Sequence, residues 1–123
     1  MAADRRVCLI TGSATGIGAA CAREFAGQGW AVVVCYLDGA TRQEAQTVVQ
    51  DCEALGAPVL LAQLNVTQNL ECQRVAHEAL ERFGRIDALI NSAGTTRFVP
   101  HADLDALDSA EFHRTYDVNV VGA

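Results

Sequence analysis

The chain has 123 residues, with nine arginines, no lysine, eight aspartates and seven glutamates, for a formal charge of −6. Half its residues are hydrophobic and a fifth are charged, which is the composition of one folded domain and not of a disordered chain. An acidic chain with scattered arginines has no basic stripe for nucleic acid or an anionic membrane, and one without lysine rules out any step that needs a lysine amine of its own.

The first ten residues carry only a four-residue apolar run from Val7, too short for the core of a secretory signal. No apolar stretch reaches membrane-spanning length. Val7–Ile10 reads as a strand that runs into a Gly-rich turn, and a helix opens near Gly16. Residues 31–36 (AVVVCY) are apolar on both parities, as in a strand covered on both faces. Thr41 followed by Glu44 reads as a capping box. It opens a helix whose apolar face is Ala45, Val48, Val49, Cys52 and Leu55, and which Gly56 ends.

Pro58 begins a third strand over Val59–Leu64, since a missing N–H is tolerated there. Cys72, Val75, Ala76, Ala79, Leu80 and Phe83 fall at helical spacing, and Gly84 stops that helix. Ile86–Ile90 is the fourth strand. Asp108 and Glu111 mark a last helix start. The order β-α-β-α-β-α-β-loop-α predicts right-handed crossovers and a parallel sheet with helices on both faces. Cys8, Cys21, Cys35, Cys52 and Cys72 are odd in number and contain no C-x-x-C. They read as small core hydrophobes in a reducing cytoplasm, not as disulfides or a zinc site. His77, His101 and His113 have no metal-ligand spacing, so no metal is expected.

The segment from Thr11 to Gly18 reads T-G-S-A-T-G-I-G. It lies between a strand and a helix, where glycines let backbone approach a pyrophosphate and the helix aims its free N–H groups at the phosphates. Its three-residue gap between the first two glycines resembles the opening of the short-chain dehydrogenase/reductase family. Asn91-Ser92-Ala93-Gly94 is similar to that family's N-N-A-G, with Ser92 replacing the second Asn. Asp117-Val118-Asn119-Val120 resembles the segment bearing the family's active-site Asn, and Leu64-Asn65-Val66 stands where the family usually has Asp-Val. A methyltransferase with a similar first turn would not account for these motifs together.

The resemblance implies a Rossmann-type, doubly wound α/β fold with sheet order 3-2-1-4. It implies that Gly12, Ser13, Thr15, Gly16, Ile17 and Gly18 contact or shape the pyrophosphate and ribose site. Asn65 and Val66 would lie beside the adenine, with the Asn65 amide oxygen accepting from the adenine amino group. Asn91, Ala93 and Gly94 would pass close to the nicotinamide-side ribose, although Asn91 can equally tie strand ends together. Tyr36 occupies the position where an acidic residue selects NAD. Asp38 lies two residues on and can still swing in, and Arg42, the only base nearby in sequence, reads first as a solvated charge at a helix start. The balance leans slightly to NADP(H) over NAD(H).

The family's chemistry uses an Asn, a Ser, and the Tyr and Lys of a Y-x-x-x-K motif. Here only Asn119 matches. Ser13, Ser92 and Ser109 all precede it, Tyr116 is followed four residues later by Val120, and no lysine exists. The chain therefore reads as the cofactor-binding half of one domain, residues 1–123, cut after the fourth strand and the start of the next helix. Two functions remain open. One is an oxidoreductase that, when complete, moves hydride between a nicotinamide cofactor and a carbonyl or secondary alcohol, as a homodimer or homotetramer. The other is a non-catalytic dinucleotide-binding fragment. Without that Ser, Tyr and Lys the chain alone is expected to be inactive, and the open strand edge left by the cut predicts that it is marginally stable or aggregates.

Overall fold

The computed structural model describes residues 4–123; residues 1–3, the start of the stretch read against a secretory signal, lie outside the described residues. The elements are β1 (Val7–Thr11), α1 (Gly16–Gly27), β2 (Ala31–Tyr36), α2 (Gly39–Ala54), β3 (Val59–Gln63), α3 (Asn69–Phe83), β4 (Ala88–Asn91) and α4 (Ser109–Tyr116). The last helix continues into a wider turn over Asp117–Val121, closed by the Gly122 N–H donating to the Asp117 carbonyl at 2.7 Å. No helix among the described residues is long and apolar enough to cross a membrane.

All strand pairs are parallel and the order is β3-β2-β1-β4, as expected. Cys8 lies between Val32 and Ala88, and Ile10 between Val34 and Ile90. Side chains alternate across a strand, so one sequence supplies two cores. Cys8, Ile10, Val32 and Val34 face α1 and α2, where Ala19, Ala22, Ala26, Ala45, Val48 and Cys52 meet them. Val7, Leu9, Val33 and Cys35 face Leu64, Val66, Val75 and Ala79 on the α3 side. This is why β2 is apolar on both parities: all six of its residues are buried. The small residues of α1 let that helix lie close to the strands.

The start of α2 differs from expectation. The helix begins at Gly39, and Asp38 caps it by accepting from the Ala40 N–H at 3.0 Å. Thr41 is already inside the first turn, where its hydroxyl donates to the Asp38 carbonyl, so no Thr41–Glu44 box forms. An Asp two residues before the first free N–H groups outcompetes a later Thr. The apolar faces are also narrower than the spacing suggests: Leu55 and Leu80 stay about half exposed. The last helix begins where expected, with Asp108 accepting from the Glu111 N–H at 3.0 Å.

β4 starts at Ala88, two residues later than its apolar run. Arg85 forks onto Asp87 at 2.8 and 2.6 Å, and Asp87 in turn accepts from the Val7 N–H at 2.8 Å. This pair ties the entry of β4 to the start of β1. Hydrogen bonding from Arg85, then from Val7, holds the Asp87 carboxyl below the ordinary aspartate value. The outer side of β4 borders an apolar groove of about 680 Å³ lined by Leu9, Leu64, Val75, Ile86, Leu89 and Val121 among others, and Leu89 is 57% exposed.

Candidate cofactor site

Four parallel strands bring their carboxyl ends to one edge, and the loops leaving them bound a second groove, of about 590 Å³. Open α/β sheets take their ligands at this edge. The groove is lined by Gly12, Thr15, Gly16 and Ile17 from the β1–α1 turn, Tyr36, Leu37 and Thr41 from the β2–α2 turn, Asn65 and Val66 after β3, and Ala93, Gly94 and Thr95 after β4.

The β1–α1 turn divides into an inner and an outer part. Ser13 is fully buried. Its hydroxyl donates to the Ile10 carbonyl at 2.8 Å and accepts from the Cys35 N–H at 2.8 Å, so both its roles are spent inside the fold and it shapes the turn from behind. Gly12 has φ +59°, and a Cβ there would stand 2.7 Å from the Ala93 Cα; its need for glycine comes from the β4 loop as much as from any ligand. A Cβ on Gly18 would meet the Gly12 carbonyl oxygen at 2.4 Å, so helix α1 rests directly on the turn.

The outer part faces the groove. Thr15 and Ile17 are exposed, and Gly16, at φ +57°, has open space where a side chain would be. Unlike α2 and α4, whose first turns are capped by aspartates, α1 has no side-chain cap at Thr15 and no acidic residue in its first turn. Its leading N–H groups and positive dipole end are left for an anion in the groove.

The opposite wall is the segment after β4. Thr11 is buried, and its hydroxyl oxygen accepts from both the Ser92 and Ala93 N–H groups at 3.1 Å. Thr95 is held from the other side: its N–H donates to the Asn119 Oδ1 at 2.7 Å, and its carbonyl accepts from the Asn119 Nδ2 at 3.0 Å. Asn119 therefore reaches the groove wall through a bidentate amide clamp from the wide turn after α4. Asn91 lines the apolar groove beyond β4 instead. Thr11 opens the Gly-rich motif, but nothing in that motif announces its hold on the β4 loop, and Thr95 belongs to no motif.

At the end of β3, the Asn65 side chain is engaged in a turn. Its Oδ1 accepts from the Thr67 N–H at 3.0 Å and the Thr67 hydroxyl at 2.7 Å. Both contacts belong to the turn that leads into α3. At the end of β2, Tyr36 is 8% exposed, and the Arg42 guanidinium lies over its ring, 5.7 Å from the centroid. Asp38, the one acid near this end of the groove, holds its carboxylate against the Ala40 N–H. Cys35 touches the groove from below, but burial pushes its thiol up to about 12, so it is no nucleophile near neutral pH. His77 pairs with Glu81 on an exposed helix face, away from the groove. Among the described residues, no three His, Cys, Asp or Glu side chains gather as a metal set would.

The family model for short chain dehydrogenases matches residues 6–123. A 3-oxoacyl-[acyl-carrier-protein] reductase of Thermotoga maritima is 33% identical over 122 residues, covering 99% of this chain and 47% of that protein. A solved structure described as a short-chain dehydrogenase/reductase from Burkholderia xenovorans superimposes with a TM-score of 0.92 at 45% identity, covering 97% of this chain and 48% of that one. Another, described as a dehydrogenase from Burkholderia cenocepacia with bound NADP, has a TM-score of 0.84 at 29% identity and covers 98% and 44% respectively. The chain thus spans about half the length of the relatives it matches. With its sheet order, its Gly-rich turn and its clamped asparagine, the chain belongs to the short-chain dehydrogenase/reductase family.

Proposed function

We propose that these residues are the nicotinamide-cofactor-binding part of a single oxidoreductase domain, which in its complete form interconverts a carbonyl compound and a secondary alcohol. The observation that carries the reading is the uncapped N-terminus of α1 opening onto a groove at the carboxyl ends of four parallel strands. The bound cofactor supplies the hydride. In this reading Gly12, Ser13 and Gly18 build the pyrophosphate turn, and Thr15, Gly16 and Ile17 present it to the ligand. Val66 borders the adenine, Asn65 supports that border through its turn with Thr67, and Ala93 and Gly94 form the nicotinamide-side wall. Asn119 braces that wall and is the one member of the family's catalytic set in this chain.

The cofactor is NADP(H) in preference to NAD(H). Tyr36 replaces the acid that would hold two ribose hydroxyls, Asp38 caps α2, and Arg42, which rests on the Tyr36 ring, is the base a 2′-phosphate would draw. The solved relative described with bound NADP supports the same direction. The complete protein is read as a homodimer or homotetramer of a reducing cytoplasm, with Phe112, Tyr116 and Val120 forming an exposed stripe at four-residue spacing on the last helix and the turn after it. The chain by itself carries no Tyr-x-x-x-Lys and is expected to turn over nothing.

Titration of the chain with NADPH and NADH, followed by calorimetry or the cofactor's own fluorescence, tests this. NADPH binding tighter than NADH binding, with the gap narrowed by roughly tenfold in Arg42→Ala, is the expected result. Equal affinities unaffected by Arg42→Ala would remove the NADP assignment, and no binding of either cofactor would remove the reading as a whole.

A further inference from the structure

Among the described residues that line the cofactor groove, Arg114 is the only charged one. Its guanidinium is shared between two partners. Nε and Nη2 donate to Glu111 Oε2 at 3.1 and 2.9 Å, and Nη1 donates to the Thr95 hydroxyl oxygen at 2.8 Å. Glu111 is itself held on α4: its N–H donates to the capping Asp108 carboxylate, and its other oxygen faces Arg97 at 3.7 Å. Every polar group of Thr95 is therefore bound to α4 or to the turn that follows it, the backbone pair by Asn119 and the hydroxyl by Arg114.

The wall peptide Ser92–Thr95 is thus pinned at its start by Thr11 of β1 and at its end by α4. No regular structure follows until Ser109, so without the second pin the wall would open into a long loop. A planar guanidinium suits this task because its fork holds two acceptors in fixed directions at once, which an ammonium does not. We propose that Arg114 is a positioning residue: through the Thr95 hydroxyl it fixes the wall peptide that Asn119 brackets, and so holds the nicotinamide-side half of the groove in shape without touching the cofactor. The proposal rests on the cofactor reading above only for what the wall receives; the latch itself is a property of this chain.

Two measurements on Arg114→Met, Thr95→Val, Thr95→Ser and the Met/Val double variant test it. The first needs no cofactor. Amide hydrogen exchange at Thr95 should quicken by about tenfold in Arg114→Met and Thr95→Val, while amides of β1 and β2 keep their rates, and Thr95→Ser, which retains the hydroxyl, should exchange like the parent. The second compares NADPH with 2′-phospho-ADP-ribose, which lacks the nicotinamide. NADPH affinity should fall about five- to tenfold in either single variant, the fragment's affinity should hold, and the double variant should be no worse than the singles.

A silent Thr95→Val beside a weakened Arg114→Met would mean that Arg114 meets the cofactor directly, and the latch would be wrong. Equal losses for NADPH and the fragment, or unchanged exchange at Thr95, would overturn it as well. A parent chain that binds neither ligand would sink the cofactor reading alone, and the exchange rates would still decide the latch.

Discussion

Ser13 sits inside a turn that resembles a phosphate cradle, yet its hydroxyl is fully buried and bonded to Ile10 and Cys35. Replacing it with alanine separates the two roles. The substitution removes two neutral hydrogen bonds, each worth about 1 kcal/mol net, and leaves the Cys35 N–H buried without a partner. No large cavity forms, so the loss should be about 2 kcal/mol. For a chain of this length each kcal/mol corresponds to roughly 3–5 °C, giving a melting-temperature drop of about 6–10 °C. Circular dichroism melts of the parent and Ser13→Ala, run beside an NADPH titration well below both transitions, give the answer. The expected outcome is a clear loss of stability with NADPH affinity within about twofold, since every atom that faces the groove is unchanged. An unshifted melt combined with a tenfold weaker NADPH complex would refute the reasoning, because the hydroxyl would then have to face the ligand.

Gly18→Ala should damage both stability and binding, because a Cβ 2.4 Å from the Gly12 carbonyl oxygen forces α1 off the turn; a variant that melts and binds like the parent would contradict the close approach. At low pH, the Asp87 carboxyl is held below its ordinary value by Arg85 and the Val7 N–H. Its contribution is present above the unfolded-state value and lost as pH falls through the folded one, so urea midpoints measured from neutral pH downward should fall less steeply in Asp87→Asn. At high pH, burial raises the Cys8 thiol to about 11 and the Cys35 thiol to about 12. Their stabilising effect is complete below the unfolded thiol range and fades as pH climbs toward those values. Near pH 8 a thiol reagent should reach Cys21 and Cys72, which are partly exposed, well before Cys8, Cys35 and Cys52. The chain should also self-associate as its concentration rises, since β4 leaves Leu89 and the apolar groove beside it uncovered; a species that stays monomeric at every concentration would count against that.

The elements themselves were legible because burial writes local patterns. A strand covered on both faces shows as unbroken β-branched sequence, as at 31–36, and a helix with one buried stripe shows as 3.6-residue spacing, as at Val75 and Ala79. The turn glycines were legible for a similar reason: Gly12 and Gly18 answer to contacts that admit no side chain. What local pattern cannot encode is competition between equivalent partners. Asp38 and Thr41 are both good caps, and only the path of the chain out of β2 decides for Asp38. Asn65 is a sound acceptor by residue type, and its engagement with Thr67 two residues away shows only in the turn the chain makes there. Ser13 and Thr15 look alike in the motif, yet one hydroxyl points into the sheet and the other residue is exposed to the groove.

The groove wall is the least legible part, and the reason is physical. Its fixed points are hydrogen bonds between residues far apart in the chain: Thr11 with Ser92 and Ala93, and Thr95 with Arg114 and Asn119. Each side chain involved is an ordinary polar residue in an ordinary place. None lies on an apolar face, and Thr95 and Arg114 belong to no motif. Their importance arises only when a parallel sheet brings the end of β1 beside the end of β4, and when α4 returns across the loop to meet them. One consequence is that the wall depends on α4 as much as on the sheet. Loosening α4, at Asp108 or Glu111 for instance, should therefore reach the nicotinamide side of the groove before it reaches the pyrophosphate turn, which β1 and α1 hold by themselves.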